Sequence, residues 1–368
     1  MKVSVIQENL SKALNVVSRV VGNRSSLAVL SNVLLKANSG RLEVIGTNLE
    51  IAIVYQVGAK VETDGSLSVP ARLLTELINS LPSDKLLLNA AAQNLHIKTT
   101  NFESTINGIA SEEFPNVPVI KPTTSLSFPA ATLVTALSQV GFAAAVDESR
   151  PVLSGVVFSV RGKELLLAAT DSYRLAESVV ALTQEQKADA DFIVPAKTVN
   201  ELIRILSQYE GDVEVGATET EIEFNMGDIR LVSRLIEGKF PDYKKIIPDK
   251  NETEAVVDTA ELLSTIKVAG LFARETANTI KLTFEAGKLS ISSSAAQVGE
   301  NQSSLETKLV GDPGEISLNA KYLLDVLAVV KTPTVKLGIS GKLNPCLVTP
   351  VKGERDTSYR HIIMPLRS

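Results

Sequence analysis

One stretch of this sequence occurs three times, and that repetition constrains the fold more than any single motif. The clearest copy is VPAKTVNELIRIL, Val194 to Leu206. An earlier copy is VPARLLTELINSL, Val69 to Leu81, and a later one is LNAKYLLDVLAVV, Leu318 to Val330. Their anchors, Pro70, Pro195 and Asn319, recur at an interval of about a third of the 368-residue chain. Each anchor is a helix-start residue. Each is followed by a base (Arg72, Lys197, Lys321) and, four residues later, an acid (Glu76, Glu201, Asp325). Apolar residues continue in register through Leu77, Leu202 and Val326, then Ile78, Ile203 and Leu327. One such stretch would be an ordinary amphipathic surface helix with an i,i+4 charge pair. Three at one spacing form an internal repeat, and a repeat this long reads as tandem whole domains, not solenoid turns.

Hydrophobic periodicity fills in each third in the same order: a short strand, a helix, several strands, the repeated helix, then more strands. The first helix is expected from Glu8 to Val21, with Leu10, Leu14, Val17 and Val21 inward. Its counterparts are expected from Pro129 to Val146 and from Thr259 to Phe272. Strands are expected late in the first third at Val117–Ile120, in the second third at Glu164–Thr170, and in the last third at Thr279–Glu285, Ser304–Lys308 and Thr334–Ile339, among others. A second echo joins EEFPNVP to EGKFPDYKKIIP, placing Phe114 and Phe240 at equivalent positions. Polar, proline-bearing linkers fall near Pro122 to Thr124 and near Pro248 to Asn251. The expected domains are therefore 1–123, 124–249 and 250–368, each an α+β unit of two helices and about eight strands.

Composition narrows the function classes. At 44% hydrophobic and 21% charged, the chain has the balance of a soluble globular protein. It has no Trp, and aromatics are 4%, which argues against aromatic cages and stacking platforms. A single cysteine, Cys346, fits a reducing compartment, and the polar start MKVSVIQENLSKAL has no signal-peptide core. A cytoplasmic location is expected. No phosphate-cradling glycine loop and no G-x-S-x-G elbow occur. His96 and His361 have no Cys or carboxylate beside them at metal-ligand spacing, so no metal and no cofactor are expected. Cys346 reads as a packed hydrophobe, and Asp189 with Asp191 as part of a polar turn. A binding or scaffolding protein is favoured over an enzyme. A carboxylate-based hydrolase and a scaffold binding only proteins are the alternatives.

The distribution of charge points to a partner. The chain carries −5, yet the expected helices, taken with Arg24, are net basic. Lys12 and Arg19, Lys197 and Arg204, and Lys267 and Arg274 are each two helical turns apart, which would place each pair on one face. A basic helical surface on an acidic body suits a polyanion.

The threefold repeat together with ATDSYRLA (Ala169–Ala176), GKFPDYKKIIP (Gly238–Pro248) and the terminal IIMPLR (Ile362–Arg367) closely resembles the bacterial sliding clamps, the DNA polymerase III beta subunits. The resemblance covers the whole chain. It implies three tandem clamp-type domains. Two chains would close head to tail into a six-domain ring, a homodimer, with helices lining a pore for double-stranded DNA. It implies a processivity factor with no catalytic site, which tethers the replicative polymerase, a clamp loader and other peptide-motif proteins.

Site residues carry over position by position. Arg24 and Arg72 match DNA-touching positions, and the other helix bases, Lys12, Arg19, Lys197, Arg204, Lys267 and Lys321, would join them in the pore lining. In DESRPVLSG the chain departs from relatives at Asp147, Pro151 and Val152, which leaves Arg150 as the local DNA candidate. A groove for partner peptides is implied at Leu153, Thr170, Ser172, Tyr173, Arg174, Leu175, Pro241, Lys245, Ile246, Ile362, Ile363, Met364, Pro365 and Leu366. Tyr173 and Lys245 stand where relatives often have His and Arg. Ring closure is implied at Ile106 on one side and at Leu271 with Phe272 on the other.

Overall fold

A computed structural model describes residues 1–22, 27–38, 40–147, 149–182, 185, 189–297, 299–351 and 358–367. Six α-helices stand among them: α1 (Gln7–Val17), α2 (Ala71–Ser80), α3 (Ala130–Val140), α4 (Ala196–Leu206), α5 (Thr259–Ala273) and α6 (Ala320–Val329). Eight strands lie between Lys2 and Asn107, eight between Thr124 and Arg234, and nine between Thr253 and Ile363. The expected α+β class, with two helices per third, is the class observed.

The helices form where the apolar spacing demands. Leu10, Ala13, Leu14 and Val17 are buried along α1, as are Ala71, Leu74 and Ile78 along α2. Asp258 starts α5 by accepting at its Oδ1 from Ala260 N and Glu261 N, both at 2.9 Å. Asn319 starts α6 in the same way, accepting from Lys321 N at 2.9 Å.

The chain divides into two compact units, Met1–Ala130 with Arg204–Leu235, and Ala131–Ile203 with Ile236–Ser368. The first unit holds a 12-stranded antiparallel sheet. The 13-residue strand Ile51–Thr63 organises it, pairing with Lys2–Ile6, Arg41–Thr47 and Ile229–Arg234 along its length. One end of the sheet is the strand Glu103–Asn107. The second unit holds a 9-stranded sheet, in which Arg174–Ala181 pairs with Ser358–Ile363, and a 4-stranded sheet ending at Gly299–Glu306. Side chains alternate between faces along each strand, and the apolar faces are buried, with Phe128, Phe158, Phe224 and Phe284 among the largest enclosed groups.

Four expectations are corrected. The first helix stops at Val17, and Val20 and Val21 are buried from a turn closed by bonds to Val17 O and Ser18 O. The helix expected to reach Val146 ends at Val140 and tightens into a 3₁₀ turn at Gly141–Ala143. Val117–Ile120 is not a strand, because Pro115 and Pro118 remove the donors a ladder needs. The strand expected at Ser304–Lys308 is two strands: Gly299–Glu306 stays in the 4-stranded sheet, and Lys308–Gly311 pairs instead with Thr253–Asp258. Thr307 makes the step, donating its Oγ1 to Val256 O at 3.0 Å.

No helix among the described residues is long and apolar enough to cross a membrane. Cys346 is fully buried in Cys346–Pro350, and burial pushes its thiol up to about 12. Asp191 is not a loose turn residue, since Arg161 grips both its carboxylate oxygens at 2.8 Å.

Candidate functional site

The implied groove is built on a tight turn in the second unit. Between the strands Glu164–Thr170 and Arg174–Ala181, Asp171 Oδ1 accepts from Tyr173 N at 2.9 Å and Arg174 N at 3.0 Å. Thr170 Oγ1 donates to Arg174 O at 2.6 Å and accepts from Ser172 N at 3.1 Å. These bonds hold Ser172 in the left-handed region, φ 79. The turn leaves Tyr173 exposed at 60%.

From this turn, Leu175 pairs with Ile362 across the sheet. Both are buried in one cluster with Val157, Ala168, Ile193 and Tyr243, and Phe240, Val152 and Ile247 pack against it. The FPDYKKII segment thus lies over the strands that carry Leu175 and Ile362. Pro241, Lys245 and Ile246 are exposed on it, and Lys245 pairs with Asp242 at 3.5 Å. The terminal residues are tied down: Met364 N donates to Tyr173 O at 2.9 Å, and Leu366 N to Ser317 O at 2.8 Å. Met364, Pro365 and Leu366 are half-buried. The result is an apolar floor with exposed apolar and cationic groups along its edges.

Two implied groove residues lie on the other face. Arg174 and Ile363 pair with each other one step from Leu175 and Ile362, and alternation turns them away from the FPDYKKII segment. Ile363 is fully buried. The Arg174 side chain is 9% exposed and enclosed by partners. It reaches Asp171 Oδ2 at 3.0 Å, Asp325 Oδ2 at 2.5 Å and Phe142 O at 2.7 Å. Its guanidinium also sits 4.6 Å from the Tyr322 ring centroid and 5.3 Å from that of Phe142. The expected Lys321–Asp325 pairing is therefore replaced, because Asp325 answers an arginine far away in sequence. Leu153 is buried at the end of the turn Pro151–Leu153. Sequence reasoning missed Asp171, Phe142, Tyr322 and Tyr243. Asp171 and Tyr243 had a signal, inside the ATDSYRLA and FPDYKK motifs; Phe142 and Tyr322 had none.

The DNA candidates are spread over several elements. Arg24 lies outside the described residues. Lys12, Arg72, Lys197, Arg204, Lys267 and Lys321 are exposed. Arg72 Nε is 2.8 Å from Glu76 Oε1, so in that copy the i,i+4 pair forms. Lys12 and Arg19 do not share a helical face, since α1 ends before Arg19. Arg274 likewise follows α5, and Lys331 follows α6. Within the observed bounds only α4, with Lys197 and Arg204 against Glu201, carries excess positive charge. Arg19, Arg274 and Lys331 instead follow helix C-termini, where the backbone dipole favours them. Arg150 donates to Ser172 Oγ at 3.1 Å and so belongs to the turn beside the groove. Among the residues implied in ring closure, Leu271 is 53% exposed and Phe272 half-buried on α5. Ile106 is 4% exposed, so its strand, not its side chain, is what that surface presents.

No group of acidic, His or Cys side chains able to hold a metal occurs among the described residues.

Comparison with known proteins gives matches along the whole chain. Residues 1–118, 127–242 and 244–367 match the N-terminal, central and C-terminal domain models of the DNA polymerase III beta subunit. The chain is 31% identical to the beta sliding clamp of Pseudomonas putida over 369 residues, covering 100% of both. It is 30% identical to that of Synechocystis over 391 residues, covering 100% of this chain and 99% of the relative. A Bacillus subtilis DNA polymerase sliding clamp superposes with TM-score 0.94 at 28% identity, covering 100% of this chain and 99% of the other. A Pseudomonas aeruginosa sliding clamp bound to griselimycin superposes with TM-score 0.95 at 29% identity, covering 100% of each chain.

Proposed function

The chain belongs to the DNA polymerase III beta subunit family, and on that premise we propose how its residues do the family's work. It is a DNA sliding clamp, an accessory subunit and not an enzyme. Two copies close head to tail into a ring of six domains, with boundaries near residues 123 and 249 in each chain. The ring encircles duplex DNA, and the tie is topological, so no single contact needs to be tight. The exposed bases Lys12, Arg19, Arg72, Lys197, Arg204, Lys267 and Lys321 meet phosphates, as does Arg24. Such contacts carry no sequence information and permit sliding. The protein works in the cytoplasm.

The groove over Leu175 and Ile362 takes short peptides from the replicative polymerase, the clamp loader and other partners. The observation that carries this reading is the docked terminus. Met364, Pro365 and Leu366 are held in place yet only half-covered, Met364 by a bond to Tyr173, which is exposed, as is Ile246. Apolar groups held this rigidly in the open suit an anchor residue of a flexible segment.

The test is topological. The protein is loaded by a clamp loader onto nicked circular DNA, and the circle is then cut. A clamp runs off the new ends and is lost from the DNA. Retention after linearisation would overturn the ring reading, whatever the affinity for DNA.

A further inference from the structure

The arrangement beneath the groove has a counterpart in the first unit, and the two differ in what fills them. In the second unit, Val157, Ala168, Glu177 and Arg360 are paired in a row across four neighbouring strands. They share one face of the sheet. Tyr243 lies in the same buried cluster as Val157 and Ala168, and donates its hydroxyl to Glu177 Oε2 at 2.6 Å. Glu177 also accepts from Arg360 Nε. In the first unit the corresponding row is Leu34, Ile45, Val54 and Arg230. Phe114 and Val117 of EEFPNVP pack on it, as Phe240 and Tyr243 of GKFPDYKK pack on the other.

The turns beside the two rows establish the equivalence. Leu49 and Ser172 are both left-handed, at φ 75 and 79. Thr47 Oγ1 donates to Ile51 O at 2.9 Å, as Thr170 Oγ1 does to Arg174 O at 2.6 Å. Asn48 Oδ1 accepts from Glu50 N and Ile51 N, as Asp171 Oδ1 accepts from Tyr173 N and Arg174 N.

Two differences therefore stand out. Val117 occupies the place of Tyr243, and Val54 the place of Glu177. Where the second unit has its buried tyrosine, the first has an open cavity of about 380 Å³, lined by the apolar Leu34, Ile45, Val54, Phe114 and Val117 and also by Lys36, Glu43, Gln56, Asp228 and Arg230. With no carboxylate beside it in its row, Arg230 turns to Glu223 Oε2 and Pro118 O, each at 3.0 Å.

We propose that this cavity is a docking site for an aromatic side chain, tyrosine above all, presented by a partner protein. The incoming ring takes the position that Tyr243 holds in the second unit, over Leu34, Ile45 and Val54. Its hydroxyl accepts from the Arg230 guanidinium. The volume falls within the range of small-ligand sites. A rigid aromatic anchor that sets its ring on apolar side chains and its hydroxyl on a polar one is an effective way for a peptide to gain affinity. The site is separate from the groove at Leu175 and Ile362, and stands whether or not that groove binds peptides.

The test titrates acetyl-Gly-Tyr-Gly-amide into the full chain carrying labelled Val, Leu and Ile methyls, followed by NMR. Shifts are expected at Leu34, Ile45, Val54 and Val117, with none from the peptide that has Ala in place of Tyr. Val117→Tyr fills the cavity from within and should weaken binding at least about tenfold. Arg230→Met keeps Val117 and the apolar lining, although it removes the bond to Pro118 O, and guards against a Val117→Tyr chain that fails to fold. It should reduce the affinity for the Tyr peptide to that for its Phe analogue. The proposal fails if these methyls do not move, if the Ala peptide moves them equally, or if both variants bind as the parent does.

Discussion

Arg174 is heavily partnered, and its partners come from three places: its own turn, the 3₁₀ turn that follows α3, and Tyr322 and Asp325 of α6. Removing one of the two carboxylates from a buried guanidinium leaves its charge only partly compensated, by Asp171 alone. Because Asp325 is 31% exposed, solvent recovers part of the loss, so Asp325→Ala should cost about 2 kcal/mol, below the full burial range. Lys321→Ala, although it removes the base that the repeat pairs with Asp325, should stay within about 0.5 kcal/mol. Thermal unfolding of the two variants checks the contrast. His361 offers a second measurement. It is fully buried, stacks 5.4 Å from Phe142, and neither ring nitrogen has a hydrogen-bond partner among the described residues. Burial, aided by the Arg174 charge, pushes it from 6.5 down to about 3. An unfolded chain takes up a proton below pH 6.5 that the folded chain refuses, so stability is full above that pH and falls as pH drops towards 3. Glu315, held at about 2 by Lys281 and Lys342, lowers stability only below its ordinary 4.5. The window from 6.5 to 4.5 therefore isolates His361. His361→Phe should flatten the decline in melting temperature across it, and a parent protein with no decline there would refute the neutral, buried state.

The elements were legible in the sequence where one face is buried and the other wet. The strands Glu164–Thr170, Thr279–Glu285 and Thr334–Ile339 have the bounds that alternation predicts, and α4 and α6 stand within the repeated stretch. Legibility failed where local pattern and tertiary demand parted. Val20 and Val21 continue the apolar stripe of α1 but are buried from a turn, and periodicity cannot separate the two. Prolines at 115 and 118 were visible, yet the apolar run around them reads as a strand. The site was half-legible for a related reason. The motifs mark Leu175, Tyr243, Ile362 and Met364, and strand alternation sets Arg174 and Ile363 on the opposite face, but nothing local says which face covers the groove or that Asp325 serves Arg174. The docked terminus gives a test at this scale. Deleting Met364–Ser368 removes two backbone bonds and three half-buried side chains, but no strand of either sheet. Affinity for a partner peptide should fall below detection in a fluorescence titration while the far-UV spectrum and melting temperature change little. Unchanged affinity would place the peptide elsewhere.

At the scale of the whole molecule, the observed helices are closer to neutral than their sequence stretches suggest, since Arg19, Arg274 and Lys331 lie beyond the helix ends. Electrostatic attraction to DNA is then modest, and a ring holds by closure. Closure in turn needs an interface, and two open sheet edges offer one. Glu103–Asn107 ends the 12-stranded sheet and Gly299–Glu306 ends the 4-stranded sheet, so among the described residues each has one side without a strand partner in its sheet. Open edges invite pairing unless covered. Next to the second edge, α5 packs on Gly299–Glu306 and exposes Val268 at 45% and Leu271 at 53%. Two edges meeting head to tail would join the sheets and bury this apolar strip. Leu271→Glu with Phe272→Glu places two carboxylates in that seam without disturbing the inner face of α5, where Leu262, Ile266, Ala269 and Ala273 are buried. Light scattering should then report the 39.4 kDa single chain in place of a dimer. The same variant should no longer be retained on nicked circular DNA, and a dimer that persists would refute this edge as the seam.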